Sequence, residues 1–158
     1  MKKVVTLALV LLIVLSMSCP AFAAENENIS IKGVVELQHE DIDIAGSIMP
    51  RATLALSFSS LGKDGSVYSP ETYYIDDGKS KLNIISATWD SQNSEVGIGW
   101  YNVSSGILYF TRYSGGSASD EAISSGNVPT GNYKVCLMNL GTEEITGSLQ
   151  YSVTRAWP

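Results

Sequence analysis

The chain has 158 residues, 44% hydrophobic and only 16% charged, with 10 basic against 16 acidic side chains and a formal net charge of −6. An acidic surface repels phosphate backbones and anionic lipid headgroups, which argues against a nucleic-acid partner and against a purely electrostatic membrane mode. Only two cysteines and one histidine are present, and no zinc-ligand spacing, phosphate-binding glycine loop or nucleotide fingerprint occurs.

Met1, Lys2 and Lys3 precede an uncharged run from Val4 to Met17 and the small-residue stretch Ala21-Phe22-Ala23-Ala24. That is the n-region, h-region and cleavage site of a secretory signal peptide, so cleavage is expected between Ala23 and Ala24 and the protein is expected to be secreted. The apolar run is shorter than the roughly 20 residues of a spanning helix and Pro20 closes it, so no stable membrane insertion is expected after cleavage. Cys19 offers a second route, a lipid anchor, although Ser16 stands three positions before it where a leucine is usual. Cleavage removes Lys2, Lys3 and Cys19, taking the formal charge from −6 to −8 and leaving Cys136 as the one thiol. An intrachain disulfide is thereby excluded, and Cys136 reads as a small packing residue of a strand.

Residues 24–50 form an acidic arm with Glu25, Glu27, Glu36, Glu40, Asp41 and Asp43 and no aromatic residue. Within it, Ile29-Ser30-Ile31 and Val34-Val35-Glu36-Leu37 fit an edge strand, and residues 38–47 read as linker. Pro50-Arg51 marks the start of the ordered body, residues 51–158. A cut near Arg51 would make the arm a propeptide, but residues 52–158 carry 10 acids against 6 bases and would not form a cationic lytic peptide. His39, Glu40, Asp41 and Asp43 are a compact set of potential metal ligands; such clusters in solvated segments are ordinarily charge alone, and neither metal nor cofactor is expected.

From Ala52 onward the pattern has period two. Leu54, Leu56 and Phe58 alternate with Ala55, Ser57 and Ser59, and Gly62-Lys63-Asp64-Gly65 turns the chain. A strand over residues 66–75 carries Tyr68, Tyr73 and Tyr74, and Pro70 within it argues for an edge or a bulge. Leu82, Ile84, Ala87 and Trp89 follow, with Ile85 breaking the alternation. Val96, Ile98 and Trp100 face one way and Gly97, Gly99 and Tyr101 the other, so a neighbouring strand or its aromatic ring is expected against the glycines. Ile107 to Tyr113 reads as a central strand, and residues 119–127 as loop with at most a short strand. Tyr133, Val135 and Leu137, then Leu149, Tyr151 and Val153, face inward, with Ser148, Gln150, Ser152 and Thr154 outward. The spacing suggests an antiparallel hairpin with one wet face. The expected fold is all-β, an antiparallel β-sandwich of jelly-roll-like or Ig-like type with about seven or eight strands, after a cleaved signal helix.

Val128-Pro129-Thr130-Gly131-Asn132-Tyr133-Lys134-Val135 and the later Gly147-Ser148-Leu149-Gln150-Tyr151-Ser152-Val153 resemble the closing strands of pre-peptidase C-terminal domains, β-sandwich modules of bacterial secreted proteases. The resemblance covers about residues 80–154. It implies a free-standing, non-catalytic domain, without a calcium site, because the Asp-rich strand typical of those modules is here Glu95-Val96-Gly97-Ile98-Gly99-Trp100.

His39 lies in the arm, so no Ser-His-Asp or Cys-His arrangement is held rigidly, and an enzyme is not expected. Asp76, Asp77, Asp90, Glu95, Asp120 and Glu121 offer carboxylates, but nearly all fall at predicted turns, where turn chemistry accounts for them. Tyrosines are numerous, and Tyr73, Tyr74, Tyr101 and Tyr113, near turns or opposite the apolar face, are the ligand-binding candidates, suited to stacking on sugar rings. The expected function is a small secreted binding module for a glycan or protein of the cell envelope. A secreted toxin or bacteriocin-like effector with an acidic propeptide is the alternative.

Overall fold

The computed structural model describes residues 30–38, 52–76 and 79–155. The Ala23/Ala24 cleavage site, Cys19, the His39–Asp43 cluster and Asp77 lie outside the described residues. No helix among the described residues is long and apolar enough to cross a membrane.

The described residues form ten strands and no helix: β1 (Gly33–Glu36), β2 (Leu54–Leu61), β3 (Ser66–Tyr68), β4 (Tyr73–Ile75), β5 (Ser80–Trp89), β6 (Val96–Asn102), β7 (Ile107–Tyr113), β8 (Ser117–Ser124), β9 (Gly131–Asn139) and β10 (Ile145–Arg155). One sheet has the order β1-β7-β6-β9-β3, with β4 also on β9; the other has the order β2-β10-β5-β8. The protein is an all-β sandwich. All pairings are antiparallel except β1 on β7, which is parallel.

Alternation explains the packing. Leu56, Leu82, Ile84, Ile98, Trp100, Tyr133, Leu137, Leu149 and Tyr151 point between the sheets and are almost fully buried. Each large apolar side chain so buried contributes about 1.5–3 kcal/mol.

Two departures from sequence expectation concern the later strands. β9 and β10 do not form a hairpin, because residues 140–144 carry the chain from the six-stranded sheet to the four-stranded one. The buried Asn139 anchors this crossing: its Nδ2 donates to the Leu61 and Glu143 carbonyls at 2.8 and 2.7 Å, and its Oδ1 accepts from the Gly141 amide. Of residues 119–127, expected to be loop with at most a short strand, 119–124 belong to the eight-residue strand β8 on the edge of the four-stranded sheet. Its small polar side chains hide the alternation that marks other strands.

Other local signals are resolved by the ladders. Pro70 interrupts an edge strand, leaving β3 and β4 as two short pieces that both pair with β9. Across the gap, the Ser69 hydroxyl accepts the Val135 amide at 2.9 Å. Ile85 is skipped in the ladders to both neighbours of β5, and the register to β10 shifts there by one residue. Asp120, opposite Ile85 on β8, takes up the irregularity with a left-handed backbone, φ 57°. Ile85 is therefore the extra residue of a β-bulge.

β6 and β7 form the one hairpin between consecutive strands among the described residues. Asn102 closes it, accepting the Ser104 and Ser105 amides on Oδ1 at 3.0 and 2.8 Å. The glycosylation-like triplet Asn102-Val103-Ser104 thus has its asparagine buried in turn chemistry.

Candidate binding face

The two sheets differ on their outward faces. On the six-stranded sheet, Tyr68, Tyr101, Leu108, Phe110, Cys136 and Met138 form a second buried apolar cluster, joined at its margin by Ile31 and Leu140. Phe110 occupies the space above Gly97, where a Cβ would lie 2.7 Å from its ring, while at Gly99 the backbone of β7 itself stands in the way, a Cβ there lying 2.0 Å from the Tyr109 carbonyl oxygen. The bare face of β6 is thus filled by the neighbouring strand and its aromatic. Cys136 lies in this cluster, fully buried, and burial pushes its thiol well above the ordinary range, which keeps it protonated and unreactive.

The outward face of the four-stranded sheet is wet and nearly uncharged. Backbone register aligns its side chains in rows across the strands. One row is Ser57, Ser148, Thr88 and Ser117; the next is Ala55, Gln150, Ser86 and Ser119. Ser152, Asn83 and Ala122 form a third, and Thr154, Lys81 and Ser124 a fourth. Lys81 is the only charged residue in these rows; Asp120 stands between the second and third of them, opposite Ile85. Strand spacing sets neighbouring side chains within a row about 4.8 Å apart, so a row across the four strands spans about 14 Å.

Some of these groups bond each other. Asn83 Nδ2 donates to Ser152 Oγ at 3.3 Å and to Thr154 Oγ1 at 3.2 Å, while Thr88 Oγ1 and Ser148 Oγ lie 3.5 Å apart. Every hydroxyl can both donate and accept, so the face keeps unused capacity of both kinds toward a partner. Small side chains keep it flat. Ile85, raised by the bulge and 38% exposed, is an apolar point at its centre.

The four tyrosines picked from the sequence do not converge. Tyr73 is half-buried against the inter-sheet core, its ring edge-on to Trp100 at 6.4 Å between centroids. Tyr113 is buried in the same core; burial, then the nearby Glu121 carboxylate, push its hydroxyl well above the ordinary range. Tyr101 is buried in the outer cluster, edge-on to Tyr68 at 4.9 Å. Tyr74, on β4, is 54% exposed and is the one of the four with an open ring. Three of the candidate carboxylates are engaged structurally: Asp76 pairs with Arg155, Asp90 accepts the Thr146 amide, and Glu95 pairs with Arg112. Among the described residues, no group of three or more His, Cys, Asp or Glu side chains is placed to hold a metal ion. A small recess of about 10 Å³, room for little more than a water molecule, is lined by Leu37, Thr111, Ile123 and Asn127 among others.

Sequence reasoning found the outward side of β10 but missed Thr88, Asn83, Ser117 and Ser119. The available signal was serine, threonine or asparagine at every second position of several strands; what was lacking was the strand order that lays them side by side. No protein-family model matches the chain, and no curated protein or solved structure is significantly similar to it.

Proposed function

We propose that this protein is a secreted, non-enzymatic binding module that recognises an uncharged glycan of the cell envelope through the outward face of its four-stranded sheet. The observation that carries the reading is the set of hydroxyl and amide rows with Lys81 as their only charge, on a chain whose formal charge is −6. A neutral polysaccharide presents hydroxyls at the same density and needs paired donors and acceptors rather than charge. The leader supports export, and the resemblance to exported non-catalytic modules supports a binding role.

The test is a pull-down on insoluble neutral polysaccharides and on isolated envelope fractions, at low and high salt. The reading expects binding that survives high salt and weakens at least about tenfold in the variant Asn83→Ala/Thr88→Ala/Ser148→Ala, at about 1 kcal/mol per lost hydrogen bond. Tyr74→Ala serves as the comparison, and loss of binding in it alone would move the site to β4. Absence of binding to every neutral glycan, or binding abolished by salt, would overturn the proposal.

A further inference from the structure

Among the described residues, the outer edges of the two sheets are not equally protected against pairing with another strand. The β3/β4 edge is broken at Pro70. β2 carries the left-handed Ser60, φ 54°, beside a shift in its register with β10, and β8 carries the left-handed Asp120. Such breaks keep foreign strands from adding to an edge. β1 has neither proline nor a left-handed residue, and it shows two adjacent β-branched side chains to solvent, Val34 at 53% and Val35 at 43% exposed.

This edge is firmly built. Four parallel pairs, from Gly33 with Ile107 to Glu36 with Phe110, hold it to β7. Beyond them the Lys32 amide donates to the Gly106 carbonyl at 2.8 Å and the Leu37 amide to the Phe110 carbonyl at 2.6 Å. Arg112 grips Glu36 with its Nε 3.1 Å from Oε1. Its open side is therefore held ready in extended form.

We infer that β1 is a self-association edge, pairing antiparallel with β1 of a second copy of this chain. The charge pattern selects this occupant. Side chains alternate along a strand, so Lys32, Val34 and Glu36 share one side, with opposite charges flanking the valine. An antiparallel copy centred on Val34 faces Val34 of the partner subunit, and each Lys32 then lies opposite Glu36 of the partner subunit. Two ion pairs and a valine contact form together, whereas a one-residue slip places side chains on opposite faces. Glu36 retains lone pairs for Lys32 of the partner subunit beyond those Arg112 uses. The resulting contact is isologous, and its twofold axis stands perpendicular to the sheet. Both hydroxyl faces then point the same way, giving a bivalent surface. The inference does not rest on the glycan reading, since self-association is measured without any ligand.

The test is sedimentation equilibrium across a wide concentration range on the purified protein, as processed by the cell that makes it. It expects a monomer–dimer equilibrium that Lys32→Glu, verified as folded by circular dichroism, weakens at least about tenfold, because both ion pairs become repulsions. The register is read separately with Val34→Cys. Opposed residues of an antiparallel pair lie about 4.5–5.5 Å apart at Cα, within disulfide range. Val34→Cys should therefore form an intermolecular disulfide under mild oxidation much faster than Val103→Cys, a site of similar exposure on the β6–β7 turn. A protein monomeric at every concentration, a dimer unaffected by Lys32→Glu, or equal oxidation of the two cysteine variants would overturn the inference.

Discussion

The outward faces of the two sheets show what one alternating pattern can become. On the six-stranded sheet the outward positions of β6 are Gly97, Gly99 and Tyr101, and the emptiness at Gly97 admits Phe110 from β7. On the four-stranded sheet most outward positions are small hydroxyls, which leave the face open to water. The first face is closed by its own aromatics and has the character of a core. The second is left available. The lesson is that glycine on a sheet face need not mark a ligand site, because a neighbouring ring can claim the space first.

The sharpest way to break this comparison is Phe110→Ala. It removes a buried aromatic from an outward face and should cost about 3–5 kcal/mol in chemical denaturation, as a core truncation does. A loss below about 1 kcal/mol would mean that the face is surface after all. A smaller effect is expected at the rim of the same face, where Arg112 pairs with Glu36 and Glu95 and its guanidinium lies 6.0 Å from the Phe110 ring. The hydrogen bond from Arg112 holds the Glu36 carboxyl below its ordinary value. A depressed folded-state value means that the stabilisation is present at neutral pH and is lost as pH falls through that value, below the ordinary carboxylate range. The Lys32 and Leu37 amide resonances should therefore shift in acid, and Arg112→Ala should move that shift up toward the ordinary carboxylate range; an unchanged titration in Arg112→Ala would assign it to another group. The smallest effect belongs to the opposite sheet, where Ser57→Ala and Ser148→Ala should each change stability by no more than about 0.5 kcal/mol in the same denaturation assay. If either matched Phe110→Ala, the two faces would not be different in kind.

Much of the architecture was legible residue by residue. The alternation of Leu54 to Phe58 and of Ile98 with Trp100, the break at Ile85 and the proline at position 70 all correspond to features of the strands, because each is a local consequence of period two. Pairing was less legible. β9 and β10 look like a hairpin because they are adjacent and both alternate, but a short connection can cross between sheets as readily as it can turn within one, and the buried Asn139 that fixes the crossing gives no signal in sequence. Tyrosine is ambiguous for a related reason: its ring suits a core and its hydroxyl suits a surface, so Tyr101 and Tyr113 resemble Tyr74 until burial separates them. The binding face was visible one strand at a time and became a face only through the order β2-β10-β5-β8.

That strand order also governs when the fold can appear. None of β1 to β5 pairs with another of the five: β1 waits for β7, β2 for β10, β3 and β4 for β9, and β5 for β8 and β10. Among the described residues, a chain delivered from its N-terminus has no native ladder to form until β6 and β7 have both emerged. Pairings between residues this distant carry a large loop-closure cost and fold slowly. Among the described residues, β1 to β5 are accordingly left without a native strand partner until strands of the C-terminal half have arrived.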